Sequence, residues 1–217
     1  YDAALYNRGN AKYDLGDKQG AIADYNSALA INPKLEGAYN NRGNAKYDLG
    51  DKQGAIIDFN RALAINPQYA EAYFNRGNVK YDLGEKQGAI ADFSQSIAIN
   101  PRSDAAYVNR GDAKSDLGDK QGAFSDYSQA IAINPESDVA YNNRGNIKSN
   151  LGDKQGAIAD YNRAIAINPR YGPAYANRGS ELADKKSACS DYKKAVSLGI
   201  QSTAQWLESE NGAWCRN

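Results

Sequence analysis

The chain has 217 residues with neither histidine nor methionine, and its 26 basic residues balance its 26 acidic residues. Zero net charge argues against nucleic acid or an anionic membrane as the main partner, since both attract a basic excess. No apolar run approaches the ~18 residues that a transmembrane helix needs, so we expect no membrane insertion. Without histidine, the commonest general base and metal ligand, we expect no enzyme, cofactor or metal site.

A block of 34 residues recurs along almost the whole chain. A fixed period of this size indicates stacked units, each too small to bury a core alone. Because the chain begins at Tyr1 inside a repeat, we expect a trimmed or mature fragment. Arg-Gly marks each block at Gly9, Gly43, Gly77, Gly111, Gly145 and Gly179. We predict repeats at residues 1–35, 36–69, 70–103, 104–137 and 138–171, a degenerate repeat at 172–202, and a capping helix and tail at 203–217.

Each repeat is predicted to be a helical hairpin. With Glu36 as position 1 of the second repeat, positions 4, 8 and 11 lie on one helix face, and positions 20, 24, 27 and 28 lie on one face of a second helix. Gly50 suits a left-handed cap at the end of the first helix, and Asp51 suits the start of the second. The second helix should end before Pro67, because proline disfavours helical geometry in the preceding residue.

The order aromatic, Gly, Ala, aromatic, Ala and Pro over 34 residues resembles the tetratricopeptide repeat family, and in particular bacterial, cyanobacterial-like arrays of near-identical repeats. The resemblance implies an all-α fold, a right-handed α-solenoid superhelix of antiparallel helix pairs in which the first helices line a concave groove. It also implies a scaffold that binds proteins or peptides, without a common catalytic activity.

Every repeat has Arg at position 7 and Asp at position 23, where the family more often has Leu and an aromatic residue. The two positions lie on the same flank and at similar distances from the turn, so they should meet. One interpretation is a ligand-binding arginine, and the other, which we expect, is a structural ion pair. The pairs are Arg8–Asp24, Arg42–Asp58, Arg76–Asp92, Arg110–Asp126, Arg144–Asp160 and Arg178–Asp191. Position 11 should join them through Lys12, Lys46, Lys80, Lys114 and Lys148.

Asparagine fills position 6 of every first helix and position 9 of most. It is a poor residue inside a helix, so the repetition needs a reason. An amide can pair with a peptide backbone through both its donor and its acceptor, and the column resembles the asparagine ladder in the repeat domain of the O-linked N-acetylglucosamine transferases. The alternative is that these amides bond to neighbouring repeats or face solvent. The candidate peptide-binding residues of the concave groove are Asn7, Asn10, Tyr13, Asn41, Asn44, Tyr47, Phe74, Asn75, Asn78, Tyr81, Asn109, Asp112, Asn143 and Asn146.

The outward positions of the first helices carry carboxylates but no cations. An extended neutral or basic segment therefore fits this face better than the acidic tails of chaperones. Aromatic residues concentrate in the N-terminal half, where we expect the anchor of the partner. The alternative function is a structural module that associates with itself by stacking end to end into a homo-oligomer. The carboxylates are Asp14, Asp48, Glu71, Asp82, Asp112 and Asp116.

The two cysteines, Cys189 and Cys215, both lie near the C-terminal end. A disulfide between them would pin the tail to the last hairpin and imply an oxidising, periplasmic or extracytoplasmic compartment. Two reduced thiols would fit a cytoplasmic protein. The sequence leaves both alternatives open, because it does not supply the distance between the two residues.

Overall fold

The computed structural model describes residues 1–215, and this part of the chain is all-helical. The predicted all-α fold of consecutive helix pairs is confirmed. The helices are α1 (Asp2–Asp14), α2 (Lys18–Ile31), α3 (Glu36–Asp48), α4 (Lys52–Ile65), α5 (Ala70–Asp82), α6 (Lys86–Ile99), α7 (Asp104–Asp116), α8 (Lys120–Ile133), α9 (Asp138–Asn150), α10 (Lys154–Ile167), α11 (Gly172–Glu181), α12 (Lys185–Ser197), α13 (Gln201–Glu208) and a terminal 3-10 helix (Glu210–Cys215). None of these helices is long and apolar enough to span a bilayer.

The chain forms two compact units, Tyr1–Ala113 and Lys114–Asn217. In the first unit, α1 packs on α2, α3 on α4 and α5 on α6, and each hairpin packs on the next through its second helix. In the second unit, α9 packs on α10 and α11 on α12, and α13 and the terminal 3-10 helix pack against α12. The last two residues of the predicted tail, 216 and 217, lie outside the described part.

The turn inside each of the first five hairpins contains a glycine with positive φ, as the turn of the second repeat illustrates. Gly50 has φ +87°, a left-handed conformation that costs glycine little, and the Asp51 N–H donates to the Lys46 carbonyl at 2.9 Å. The Asp51 carboxylate then accepts from the Gly54 N–H at 2.9 Å and caps α4. These bonds satisfy orphan backbone groups at both helix ends, so three residues reverse the chain direction.

The core of a hairpin depends on the glycine at position 8. In the second repeat, Phe59 is fully buried, and a Cβ added at Gly43 would lie 2.7 Å from its Cε1 atom. Phe59 also packs with Ala55 and with Val79 of the next hairpin. The aromatic ring at position 24 thus fills space within its own hairpin and between this hairpin and the next. Its size sets how closely the first helices of the two hairpins, α3 and α5, approach the ring.

We expect Gly77→Ala to lower the free energy of unfolding by up to about 2 kcal/mol. Its Cβ would lie 2.7 Å from Phe93 Cε1, and overpacking of this kind costs about 1–3 kcal/mol, offset by the ~1 kcal/mol better helix propensity of alanine. Urea unfolding followed by circular dichroism measures the change. The control is Gly88→Ala in the same hairpin, whose Cβ would meet the flexible Lys80 side chain. Equal effects at both glycines would contradict the close-approach argument.

The last hairpin departs from the pattern of the others. Its first helix, α11, has 10 residues instead of 13 and ends before Leu182, and Asp184 then caps α12. Beyond it, the Trp206 ring lies 4.6 Å from the Tyr192 ring. A disulfide joins Cys189 of α12 to Cys215 of the terminal 3-10 helix. The C-terminal segment is therefore held on α12 by both aromatic packing and a covalent bond.

Candidate functional site

In five of the six repeats, the arginine at position 7 binds the aspartate at position 23 through two hydrogen bonds. Arg42 donates from Nε and Nη2 to the two carboxylate oxygens of Asp58 at 2.9 and 2.6 Å, and Lys46 Nζ lies 2.8 Å from the same carboxylate. Asp58 is only 1% exposed. The same bidentate pairing joins Arg8–Asp24, Arg76–Asp92, Arg144–Asp160 and Arg178–Asp191.

From the second repeat onwards, the arginine also reaches the preceding repeat, a contact that the periodicity of single helices does not predict. Arg42 Nη1 donates to Asn26 Oδ1, at position 25 of the hairpin before, at 2.6 Å. The guanidinium carbon of Arg42 lies 5.3 Å from the Tyr39 ring centroid, in reach of a cation–π interaction. The arginine therefore ties three helices together, and its donors are used inside the scaffold. This geometry favours the structural interpretation over a ligand-binding arginine.

Arg110 and Asp126 lie in different units, and their pairing stays a prediction. Arg110 Nη1 donates to Ser94 Oγ at 3.1 Å, again at position 25 of the preceding hairpin. Lys114, in the second unit, lies 2.8 Å from Asp126. Both residues of the predicted pair thus have partners of the type that the other clusters show.

Asp24 shows the electrostatic consequence of this arrangement. Hydrogen bonds from Arg8 and then from Lys12 outweigh the opposing effect of burial and lower the pKa of the Asp24 carboxyl to about 2. Since the folded-state pKa lies below the unfolded value of about 3.9, the stabilising effect is present above that pH. It is lost as the pH falls towards 2.

The asparagines of the first helices bond to one another between repeats. Asn41 Nδ2 donates to Asn10 Oδ1 at 2.8 Å and to Tyr6 Oη at 3.1 Å, and Asn109 Nδ2 donates to Asn78 Oδ1 at 2.8 Å. Asn75 and Asn177 instead donate to the position-5 asparagines Asn40 and Asn142. These asparagines at position 6 thus donate to the preceding repeat, which is one of the alternatives given above. Their role in peptide binding stays a prediction.

Tyrosines at position 12 and aspartates at position 13 form a second inter-repeat contact. Tyr13 Oη donates to Asp48 at 2.8 Å, and Lys18 Nζ lies 2.8 Å from the same carboxylate. Tyr47 donates to Asp82 in the same way. Burial and then the Asp48 bond raise the pKa of Tyr13 to about 12. The lysine at position 17, on the second helix, therefore lies close to carboxylates whose own helix face carries no cation.

Two equivalent cavities open on the first-helix face of the first unit, meaning the face formed by positions 6, 9, 12 and 13 of the first helices. One has a volume of about 360 Å³ and the other about 230 Å³. Both are lined by positions 9, 12, 13 and 24 of one repeat and by positions 6 and 9 of the next. The first is lined by Asn10, Tyr13, Asp14, Tyr25, Asn41, Asn44 and Glu71, and the second by Tyr47, Asn78, Tyr81, Asp82, Phe93, Asn109 and Asp112.

The cavities differ in chemistry at position 24. In the first, Tyr25 Oη donates to Asn10 Oδ1 at 2.8 Å, so the phenol adds a polar group to the cavity wall. In the second, Phe93 takes that place and Tyr47 and Tyr81 add two more rings. The second cavity is therefore the more aromatic of the two, and it presents the carboxylates of Asp82 and Asp112.

The remaining predicted groove residues are distributed over both units. Asn7 is exposed on α1, and the Phe74 ring lies 5.9 Å from the Phe93 ring. Asn143 and Asn146 belong to the second unit, where Asn146 Oδ1 accepts from Tyr161 Oη at 2.8 Å. Within residues 1–215, no group of three or more acidic or cysteine side chains has a geometry suited to a metal ion.

Models of the tetratricopeptide repeat match residues 9–84, 70–103, 104–137 and 139–171. Comparison with curated proteins gave no match. The crystal structure of MamA is similar at 26% identity with a TM-score of 0.70, over 75% of this chain and 95% of MamA. YrrB, described as a TPR protein with an unusual peptide-binding site, is 19% identical with a TM-score of 0.68, over 83% of this chain and 95% of YrrB.

Pseudomonas aeruginosa pilF is 14% identical with a TM-score of 0.81, over 99% of this chain and 96% of that one. At such low identity this likeness concerns the fold alone, and it extends to nearly the whole of both chains. The assignment to a family rests on the matches to the repeat models, because together they cover most of the sequence. The chain belongs to the tetratricopeptide repeat family, whose helix pairs generally serve as protein–protein interaction scaffolds.

Proposed function

We propose that the chain is a non-enzymatic scaffold that binds an extended, neutral or basic peptide segment along the first-helix face of its first unit. The observation that carries the proposal is the pair of equivalent cavities, two repeats apart on the same face. An extended peptide presents side chains at regular intervals, and a repeat array presents cavities at regular intervals. If the spacing of the peptide side chains matches the spacing of the cavities, one peptide can make several weak contacts that together give affinity.

The linings of the cavities favour a basic side chain over an acidic one. Asp14 and Glu71 line the first cavity, and Asp82 and Asp112 line the second, whereas no Lys or Arg lines either. In the second cavity a cation would meet aromatic rings as well as carboxylates, an arrangement that stabilises it by about 0.5–2 kcal/mol. A glutamate at the same place would face like charges.

Asn44 is the amide best placed to bind the peptide backbone. It lines the first cavity and is half-buried, and within residues 1–215 it forms no hydrogen bond through its side chain. Asn41, three residues earlier, donates to two partners of the preceding repeat. Both amides line the first cavity, but Asn41 is engaged in inter-repeat bonds and Asn44 is not.

We expect Asn44→Ala to weaken peptide binding by about 1 kcal/mol, roughly one hydrogen bond, with an unchanged or slightly higher melting temperature. The control is Asn41→Ala, which removes inter-repeat bonds and should lower the melting temperature. Calorimetric titration with peptides that carry lysine, serine or glutamate at one position should rank them in that order. Affinity for the lysine peptide should fall as salt rises. Strongest binding of the glutamate peptide would contradict the proposal.

Self-association by end stacking is the second candidate function, and its contact would be the face that the first helix of a hairpin presents to the hairpin before it. Ala4 is exposed, whereas its equivalents Ala38 and Ala72 are fully buried by the hairpin before them. The Arg8 side chain is 61% exposed and the Arg42 side chain 17%. A molecular mass that rises with protein concentration in analytical ultracentrifugation, without affinity for any of the three peptides, would favour this function over peptide binding.

The Cys189–Cys215 disulfide bears on location. Disulfides persist in oxidising compartments and are rare in the cytosol of mesophiles. We therefore infer that the scaffold works in an extracytoplasmic compartment. Thiol labelling of the protein extracted from its native cells under acid quench tests this, since labelling of Cys189 and Cys215 without prior reduction would contradict it.

A further inference from the structure

The last hairpin carries lysines where the other hairpins carry neutral residues. Position 18 is Gln in each of the five preceding repeats but Lys186 in α12, and position 25 is Asn or Ser in those repeats but Lys193 in α12. Position 25 is the acceptor for the arginine of the following repeat elsewhere, as with Asn162 and Arg178. Duplication does not explain these changes, because they appear in one copy only.

The two new lysines line a cavity together with Lys185, which keeps the lysine that position 17 has in every repeat. Ser190, Trp214 and the Cys189–Cys215 disulfide complete the lining, around a volume of about 450 Å³. Lys185 Nζ lies 5.8 Å from the Trp214 ring centroid. We call this cavity the cap site. Its aromatic wall comes from the segment that follows the last repeat.

The lysines of the cap site are not held in ion pairs. Among residues 1–215, none of its three lysines forms an ion pair, whereas the lysines at position 11 bind buried aspartates. The nearby carboxylates are already engaged, because Asp184 accepts from the Ser187 backbone and hydroxyl and Asp191 is held by Arg178. An anion that enters the site therefore meets three lysines that form no ion pair, and Asp184, which caps α12, is the carboxylate next to them in the sequence.

Trp214 is presented as a fixed platform. Its ring packs edge-on against Trp206 at 6.2 Å and against Tyr192 at 6.5 Å, and the neighbouring Cys215 is bonded to α12. The side chain is 38% exposed. Because its position is fixed, the exposed part of the ring can pack against an apolar group of a ligand. Insertion into a bilayer would instead require the ring to leave its contacts with Trp206 and Tyr192.

We propose that the cap site binds an acidic peptide segment of a partner protein. Carboxylates of the segment pair with Lys185, Lys186 and Lys193, and an apolar side chain of the segment packs on Trp214. The volume of the cavity exceeds that of an inorganic anion and lies within the usual range of binding pockets. The site is separate from the first-helix face and opposite to it in charge, so one scaffold would hold a basic segment and an acidic segment at different places.

The test uses a fluorescein-labelled peptide of glutamates around one phenylalanine and measures fluorescence anisotropy with the intact disulfide-bonded chain. Lys186→Gln with Lys193→Asn restores the residues of the other repeats and should weaken binding by up to about tenfold, the loss of two charge pairs at exposed lysines. The matched control, Lys34→Gln with Lys120→Asn, removes the same charge from exposed lysines elsewhere and should leave affinity unchanged.

A second measurement addresses the aromatic wall. Replacing the phenylalanine of the peptide by serine should weaken binding to the wild-type chain and quench less tryptophan fluorescence. Equal loss in both lysine variants, or no binding by the wild-type chain, would overturn the proposal. Binding to phosphatidylserine vesicles without binding to the peptide would also overturn it and would assign the site to a membrane surface. Loss of cap-site binding leaves the Asn44 titration unaffected, so the two proposals fail independently.

Discussion

Asp92→Ala is expected to lower the free energy of unfolding by about 3–5 kcal/mol. Asp92 is only 4% exposed, and it accepts from Arg76 Nε at 2.8 Å and from Arg76 Nη2 at 2.6 Å. Lys80 Nζ lies 2.8 Å from the same carboxylate. The substitution leaves two cations, with side chains 17% and 21% exposed, without their anion. Urea unfolding followed by circular dichroism measures the loss.

The control removes the whole cluster. Arg76→Leu, Lys80→Leu and Asp92→Tyr together replace the charges by apolar residues, two of them the types that the family more often carries at positions 7 and 23. Because replacing a buried ion cluster by apolar groups is often neutral, the triple variant should lose much less stability than Asp92→Ala alone. If the single variant is neutral, or if the single and triple variants lose equal stability, the three residues are not coupled.

The hairpin fold could be predicted from the sequence because each hairpin is specified locally. Gly50 and Asp51 fix the turn, Pro67 follows the end of the second helix, and Gly43 admits the Phe59 ring. The contact of Arg42 with Asp58 also follows from local geometry, since two helices joined by a short turn have a defined register. All of these contacts lie within one repeat, so the periodicity of single helices suffices to place them.

Contacts between repeats are not fixed by the sequence of one repeat, because they depend on the rotation of one hairpin against the next, which helix periodicity does not supply. The sequence nevertheless contains a signal. Tyr occupies position 12 of the first three repeats and Asp occupies position 13 of the repeat after each, and where position 12 becomes Ser115, position 13 of the following repeat becomes Asn150. Positions 12 and 13 of successive repeats thus change together, and the Tyr13–Asp48 hydrogen bond shows that they are in contact.

The same limit affects the interpretation of the asparagine column. Two amides per first helix indicate a ligand-binding surface, yet the Asn41 amide donates to Asn10 and Tyr6 of the preceding repeat. A residue that is unfavourable in a helix is retained either by a ligand or by a neighbouring repeat, and a single repeat does not distinguish them. The residues of the first helices alone likewise predict a face without cations, whereas Lys18, at the start of a second helix, reaches Asp48.

Removing the Cys189–Cys215 disulfide is expected to destabilise the C-terminal cap by about 3.5 kcal/mol, the chain-entropy value for a closed loop of this length, the two residues being 26 apart. Both tryptophans of the chain, Trp206 and Trp214, lie in this cap, so their fluorescence follows it separately from the helical signal. In the Cys189→Ala, Cys215→Ala variant, the fluorescence transition should move to lower urea.

The circular dichroism transition, which reports mainly on the other hairpins, should move less, because repeats interact chiefly with their neighbours. Once the cap has opened, the apolar face of α12 around Tyr192 is exposed, and an exposed face of this kind promotes association. The variant should therefore also sediment partly as larger species at urea concentrations between the two transitions. Wild-type chain treated with a reductant is the matched control, since it opens the same loop without changing a residue and should reproduce both effects. Coincident transitions at an unchanged midpoint in the reduced chain would show that aromatic packing of Trp206 on Tyr192 holds the cap without the covalent bond.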